Sequence, residues 1–185
     1  NSSSEANPRG LCNRSDQVGR NLMDHLCALT TVGVMPQYPY SGDDGHRPNI
    51  LYIPRFRNVT EEADGYLRGY GYQCGMLPQD DKPGFAAIGQ EIRRGHKFGA
   101  WLTYIAGFGE MLPNPDNRVT LHATHRDRWG IPMVHIDCAM GPNEARMARQ
   151  ILADGTAMFE AAGGVVISQA TEAGPPGLAI HEMGT

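Results

Sequence analysis

The sequence has no apolar run of the roughly 18 residues that a membrane-spanning helix needs, so no membrane span is expected. A basic stripe is also missing: 16 Lys and Arg and 20 Asp and Glu are scattered through 185 residues, for a formal net charge of -4. Without a continuous positive surface nothing follows a phosphate backbone, and nucleic acid is not an expected partner. The four cysteines, Cys12, Cys27, Cys74 and Cys138, form no CxxC pair, which gives neither zinc-ribbon spacing nor a disulfide framework. Free thiols in a reducing compartment are the ordinary reading, with the cytoplasm as the expected location and the periplasm as the alternative. No internal repeat, low-complexity segment or linker divides the chain, and residues 1–185 are expected to form a single domain. The opening residues, Asn1 to Pro8, lack the basic and apolar stretches of a leader, and no initiating Met is present. The chain is therefore expected to be an excerpt of a longer one.

What is present is glycine and proline, 23 and 13 of them, punctuating short apolar runs in the manner of strands joined by turns. Ile50 to Ile53, Tyr66 to Gln73, Gly99 to Phe108 and Val119 to His122 carry β-branched and aromatic residues at strand lengths. In the second run Tyr66, Tyr70 and Tyr72 share one parity and hence one face, while Gly69 and Gly71 leave room on the other for a neighbour or a ligand. From Pro142 the period changes. Asn143 is the expected N-cap, Glu144 suits the first turn, and Met147, Ile151, Met158 and Ala162 recur at helical spacing until Gly163 and Gly164. Val165 to Ser168 reads as a strand, and a polar loop from Gln169 to Gly177 leads to a short apolar strand, Leu178 to Ile180, that delivers His181. The pattern is α+β with a largely antiparallel sheet.

Three groups of residues invite chemistry. His181, between an apolar segment and Gly184, suits either a proton acceptor or a half-buried structural histidine; position leaves both open. The run Gly69 to Gly75 has its third glycine one place late for a dinucleotide turn and lies inside a strand-like stretch with no helix after it, so it is rejected as a phosphate loop. His122, His125 and His135 with Asp137 could be assembled into a metal site, but turn histidines are usually solvated, and no metal is expected. Asn58-Val59-Thr60 is a glycosylation sequon without supporting context.

Gln17-Val18-Gly19-Arg20-Asn21-Leu22-Met23-Asp24-His25 resembles the GRNLxDH stretch of glucose-methanol-choline (GMC) oxidoreductases. Asn117-Arg118-Val119-Thr120-Leu121, followed by Trp129-Gly130-Ile131-Pro132, is similar to that family's NRVTL turn-strand and downstream WGIP strand opening. His181-Glu182-Met183-Gly184-Thr185 resembles the HxxGT segment that holds the family's catalytic histidine. Pro48 to Asn58 and Tyr66 to Gly75, read beside the ending, look most like bacterial sugar or glycoside dehydrogenases and oxidases, including 3-oxidising enzymes related to pyranose oxidase.

The resemblance implies a substrate-binding domain: a mostly antiparallel sheet of about six strands with helices packed on one face. It implies FAD as cofactor, bound mainly by an FAD-binding part absent from this chain, which is then the chain's expected partner, and a sugar or glycoside as substrate. His181 matches the position of the base that takes the hydroxyl proton while hydride leaves to the flavin. Its usual second histidine or asparagine would lie beyond Thr185, so the chain alone is expected to be inactive. Asn21 would lie near the flavin edge. Tyr52, Arg55, Tyr70, Gln73 and Glu110 are candidates for sugar contacts by residue type and strand position. The alternative is a non-catalytic carbohydrate-binding or interaction module without flavin.

Overall fold

A computed structural model describes residues 3–39, 50–61, 65–78 and 100–185; Pro48 and Gly99, which edge expected segments, lie outside them. Seven strands and one helix are formed among the described residues. The strands are β1 (His25–Pro39), β2 (Leu51–Ile53), β3 (Tyr70–Pro78), β4 (Ala100–Glu110), β5 (Arg118–Arg126), β6 (Pro132–Asp137) and β7 (Val165–Gln169); the helix, α1, is Pro142–Ala161. Five strands make one antiparallel sheet in the order β2-β3-β4-β1-β7, and β5 and β6 form a separate two-stranded hairpin. The fold is α+β.

α1 lies on one face of the sheet. Met147, Ile151 and Phe159 are fully buried along its inner stripe. Close approach is possible because β4 presents glycine there: a Cβ on Gly107 would lie 2.1 Å from Ile151 Cγ2, and one on Gly109 2.6 Å from Met147 Sδ. Tyr70 and Tyr72 complete this core. Tyr72 donates its hydroxyl hydrogen to the Ile151 carbonyl (2.7 Å), tying strand to helix.

One strand lies outside the expected set, and four expectations need correction. The central strand β1 has no alternating signature, because a register shift between Leu26 and Leu29 breaks the period of two and helix and neighbouring strands cover much of it. β3 begins at Tyr70, so Tyr66 to Gly69 precedes the strand as an irregular segment. Gly141, not Asn143, caps α1. Its N–H donates to Glu144 Oε2 (2.8 Å), while Asn143 Oδ1 accepts the Leu67 N–H and its amide donates to the Leu67 carbonyl. Leu178 to Ile180 forms bends, and pairing resumes only as an isolated bridge between Met23 and Met183. In the helix, Ala162 is exposed and Phe159 takes the last core position.

The hairpin is amphipathic. Val119 opposes Ile136 and Leu121 opposes Val134 on one face, and Val134 and Ile136 are each 61% exposed. No helix among the described residues is long and apolar enough to cross a membrane.

Candidate active site

The three segments singled out in the sequence meet in space. Leu22 N–H donates to the Asn117 carbonyl (3.1 Å) and Val119 N–H to the Gly19 carbonyl (2.8 Å), which joins the first segment to the second. Met23 and Met183 exchange backbone hydrogen bonds of 2.8 and 3.0 Å, which joins the first to the third. Gly184 makes that second junction possible. It sits at φ +98, where a β-carbon is disfavoured, and a Cβ there would lie 2.1 Å from the Asn21 carbonyl oxygen.

This pairing determines what faces His181. In an antiparallel bridge, the residue two beyond Met23 opposes the residue two before Met183, and those are His25 and His181. Their imidazoles meet edge to face, with centroids 5.1 Å apart. The neighbouring Asp24, only 4% exposed, fixes the approach. Its Oδ1 accepts the His25 N–H (2.7 Å), and its Oδ2 accepts the N–H groups of Gly177 (2.7 Å) and Ala179 (3.4 Å). One buried carboxylate thus anchors both strand β1 and the loop that carries His181.

The two histidines stand at a cleft of about 850 Å³ on the face of the sheet opposite α1. Strand register explains its lining. His25 pairs with Glu110, Phe108 with Gly71, and Gln73 with Tyr52; directly opposed residues share a face, as do residues two apart along a strand. Tyr52, Gln73, Phe108, Glu110 and His25 therefore point to one side, over the space that Gly69 and Gly71 leave open. Arg55, in the loop after β2, lies across Gly69: a Cβ there would come within 2.5 Å of its Nε. Leu178, Ala179 and Ile180 form the opposing wall.

Tyr70 is the exception among the expected sugar contacts. It borders the cleft, but its parity turns the ring into the core, where it is 3% exposed and donates to Asp154 Oδ2 (2.6 Å). Burial pushes its hydroxyl pKa far up, and the bond to Asp154 adds to this. Asp154 in turn holds Arg57 by two bonds of 2.6 and 2.7 Å and accepts from Gln150. Burial pushes the Asp154 carboxyl up, but the hydrogen bonds from Arg57, Tyr70 and Gln150 outweigh it and hold the group below the usual carboxylate range. Asn21 is half-buried at φ +59, its amide directed to Gln17 Oε1 (3.4 Å), beside the His181 to Thr185 segment.

Asp24 and His25 are the site residues that the sequence reading misses, although both lie within the quoted GRNLMDH stretch. Two polar residues side by side at the start of an apolar strand were the available signal. On the hairpin, His122 and His125 stack at 4.0 Å with rings 11° from parallel, and His122 Nδ1 accepts the N–H groups of Thr124 and His125. Parallel rings do not converge their nitrogens on one ion, and among the described residues no group of three or more ligating side chains is arranged to hold a metal.

No family model matches the chain. It is 28% identical over 163 residues to the fructose dehydrogenase large subunit of Gluconobacter japonicus, across 81% of this chain and 28% of that protein. It is 27% identical over 197 residues to 2-methyl-1,2-propanediol dehydrogenase of Mycolicibacterium austroafricanum, across 100% of this chain and 34% of that protein. The chain spans about a third of the length of the curated relatives it matches. Both relatives are dehydrogenases by name.

Proposed function

We propose that the cleft is the substrate side of the active site of an FAD-dependent oxidoreductase of the GMC family, oxidising a hydroxyl of a sugar or glycoside. The observation that carries the reading is the convergence of His181 and His25 on a cleft walled by Tyr52, Arg55, Gln73 and Glu110. An imidazole is the side chain best suited to accept a hydroxyl proton near neutral pH. The Asp24-anchored loop brings His181 to the cleft, where its ring meets the edge of His25. Tyr52 offers an aromatic face for a sugar ring, and Gln73 and Glu110 offer amide and carboxylate partners for hydroxyls.

The described residues suit the reacting end of a flavin but not its pyrophosphate. Gly69 to Gly75 runs into strand β3, which continues to Pro78 where a phosphate loop would already open a helix, and the N-terminus of α1 is closed by Glu144. The remaining FAD-binding part of a longer polypeptide would supply that cradle, with Asn21 and the His181 to Thr185 segment bordering the ring system. Bound FAD supplies the acceptor for the hydride released when the alcohol is oxidised. The apolar hairpin face of Val119, Leu121, Val134 and Ile136 fits burial against such a part.

The test is the flavin spectrum of the intact gene product with a panel of sugars. Sugar-dependent bleaching that His181→Ala abolishes is the expected result. Absence of flavin in the intact product would overturn this reading in favour of a carbohydrate-binding module.

A further inference from the structure

We infer that Arg55 and Glu110 form a preset hydroxyl clamp that selects uncharged polyols and rejects substrates bearing a carboxylate. The inference rests on the reading of the cleft as the substrate site and adds to it the electrical character of what that site accepts.

Arg55 is held before any ligand arrives. Its Nε donates to the Arg57 carbonyl (3.0 Å), one terminal nitrogen donates to the Asn58 carbonyl, and its stem lies flat on Gly69. The carbonyls it uses belong to an anchored loop. Arg57 is bound at both ends of its fork by Asp154, and Asn58, buried, donates to the carbonyls of Tyr66 (2.9 Å) and Arg68 (3.2 Å). The other terminal nitrogen, Nη1, points to Glu110 Oε1 at 3.7 Å. The backbone of Glu110 is held from the other side, because its N–H donates to the Gly69 carbonyl (3.2 Å).

At 3.7 Å the pair is an ion pair but not a tight hydrogen bond. Donor and acceptor therefore sit side by side with hydrogen-bonding capacity to spare, and a pair of neighbouring hydroxyls can bridge them, one accepting from Nη1 and one donating to the carboxylate. Among the described residues that line the cleft, Arg55 is the only Arg or Lys and Glu110 the only Asp or Glu. They cancel. A carboxylate on the substrate finds its natural partner, the guanidinium, already neutralised, and meets the like charge of Glu110 beside it.

The experiment compares methyl β-D-glucopyranoside with its 6-carboxylate counterpart on the intact gene product, by saturation-transfer NMR for binding and by flavin bleaching for turnover. Wild type is expected to favour the neutral glycoside. Glu110→Gln leaves the Arg55 charge uncompensated and should move the binding ratio toward the carboxylate by about tenfold, the equivalent of one strengthened charge-assisted contact. That gain should shrink on raising the salt concentration. Arg55→Ala should weaken the neutral glycoside without any gain for the carboxylate. A ratio unchanged within twofold in Glu110→Gln, or equal binding of both compounds by wild type, overturns the clamp. Binding with the expected ratio but without bleaching supports the clamp and overturns the redox reading instead, so the two failures are separable.

Discussion

Replacing Asp24 by Asn removes a charge and one acceptor from a carboxylate that receives three backbone N–H groups, at 2.7, 2.7 and 3.4 Å. An amide has one oxygen. If that oxygen stays with Gly177 and Ala179, the amide NH2 confronts the His25 N–H donor to donor; if it turns to His25, both loop bonds are lost. Either arrangement forfeits at least one bond to a charged acceptor and leaves a buried donor unsatisfied, which together cost about 2–3 kcal/mol. For a chain of this length the melting temperature should fall by roughly 4–12 °C. The loss is also local: a peptide covering residues 175–185 should exchange its amide hydrogens faster, because the loop delivering His181 is freed at its anchor. Thermal melts and hydrogen-exchange mass spectrometry on wild type and Asp24→Asn check both parts. A melt within about 1 °C of wild type with unchanged exchange in 175–185 would refute the claim that Asp24 holds the histidine loop.

Further outcomes follow from the same geometry. Tyr70→Phe should leave KM for the sugar within about twofold but lower stability by about 1–2 kcal/mol, as the hydroxyl bonds Asp154 and not the ligand; Tyr52→Ala and Gln73→Ala should raise KM with little loss of fold, and steady-state kinetics beside urea melts separate the two classes. The Asp154 carboxyl titrates below its unfolded value in the folded chain, so its contribution is fully present above about pH 4 and is lost as pH falls through the folded value; urea midpoints from pH 6 to 3 should fall less steeply in Asp154→Asn. Gly184→Ala sets a β-carbon 2.1 Å from the Asn21 carbonyl at φ +98; the Met23–Met183 bridge should open, read as lost exchange protection at both amides. Val134→Lys with Ile136→Lys should reduce hydrophobic-dye fluorescence of the 185-residue chain, since both side chains lie on the exposed face of the hairpin.

Much of the fold was legible in the chain because local signals agreed with it. β2, β4, β5, β7 and α1 sit where β-branched runs, glycine stops and helical spacing put them, and the parity of Tyr70 and Tyr72 against Gly71 set which side of β3 is core. That same parity, applied to Tyr70 and Gln73, already required the two to face opposite ways; choosing both as sugar contacts overlooked it. Strand β1 stayed hidden since a central strand with a register shift shows no alternation. The capping residue of α1 was misread because Asn143 had a distant partner, Leu67, that no local rule supplies.

The sequence by itself determined the residue types on which the chemistry depends: a histidine before Gly184, glycines across from tyrosines, and an Asp-His pair ahead of an apolar strand. Only the tertiary structure decided which of them meet. His25 opposes His181 through the Met23–Met183 bridge, and Arg55 reaches Glu110 from a loop that Asp154, nearly a hundred residues away in sequence, holds through Arg57. Such pairings depend on strand register and long-range hydrogen bonds, quantities set by the packing of distant segments and carried by no local stretch of sequence.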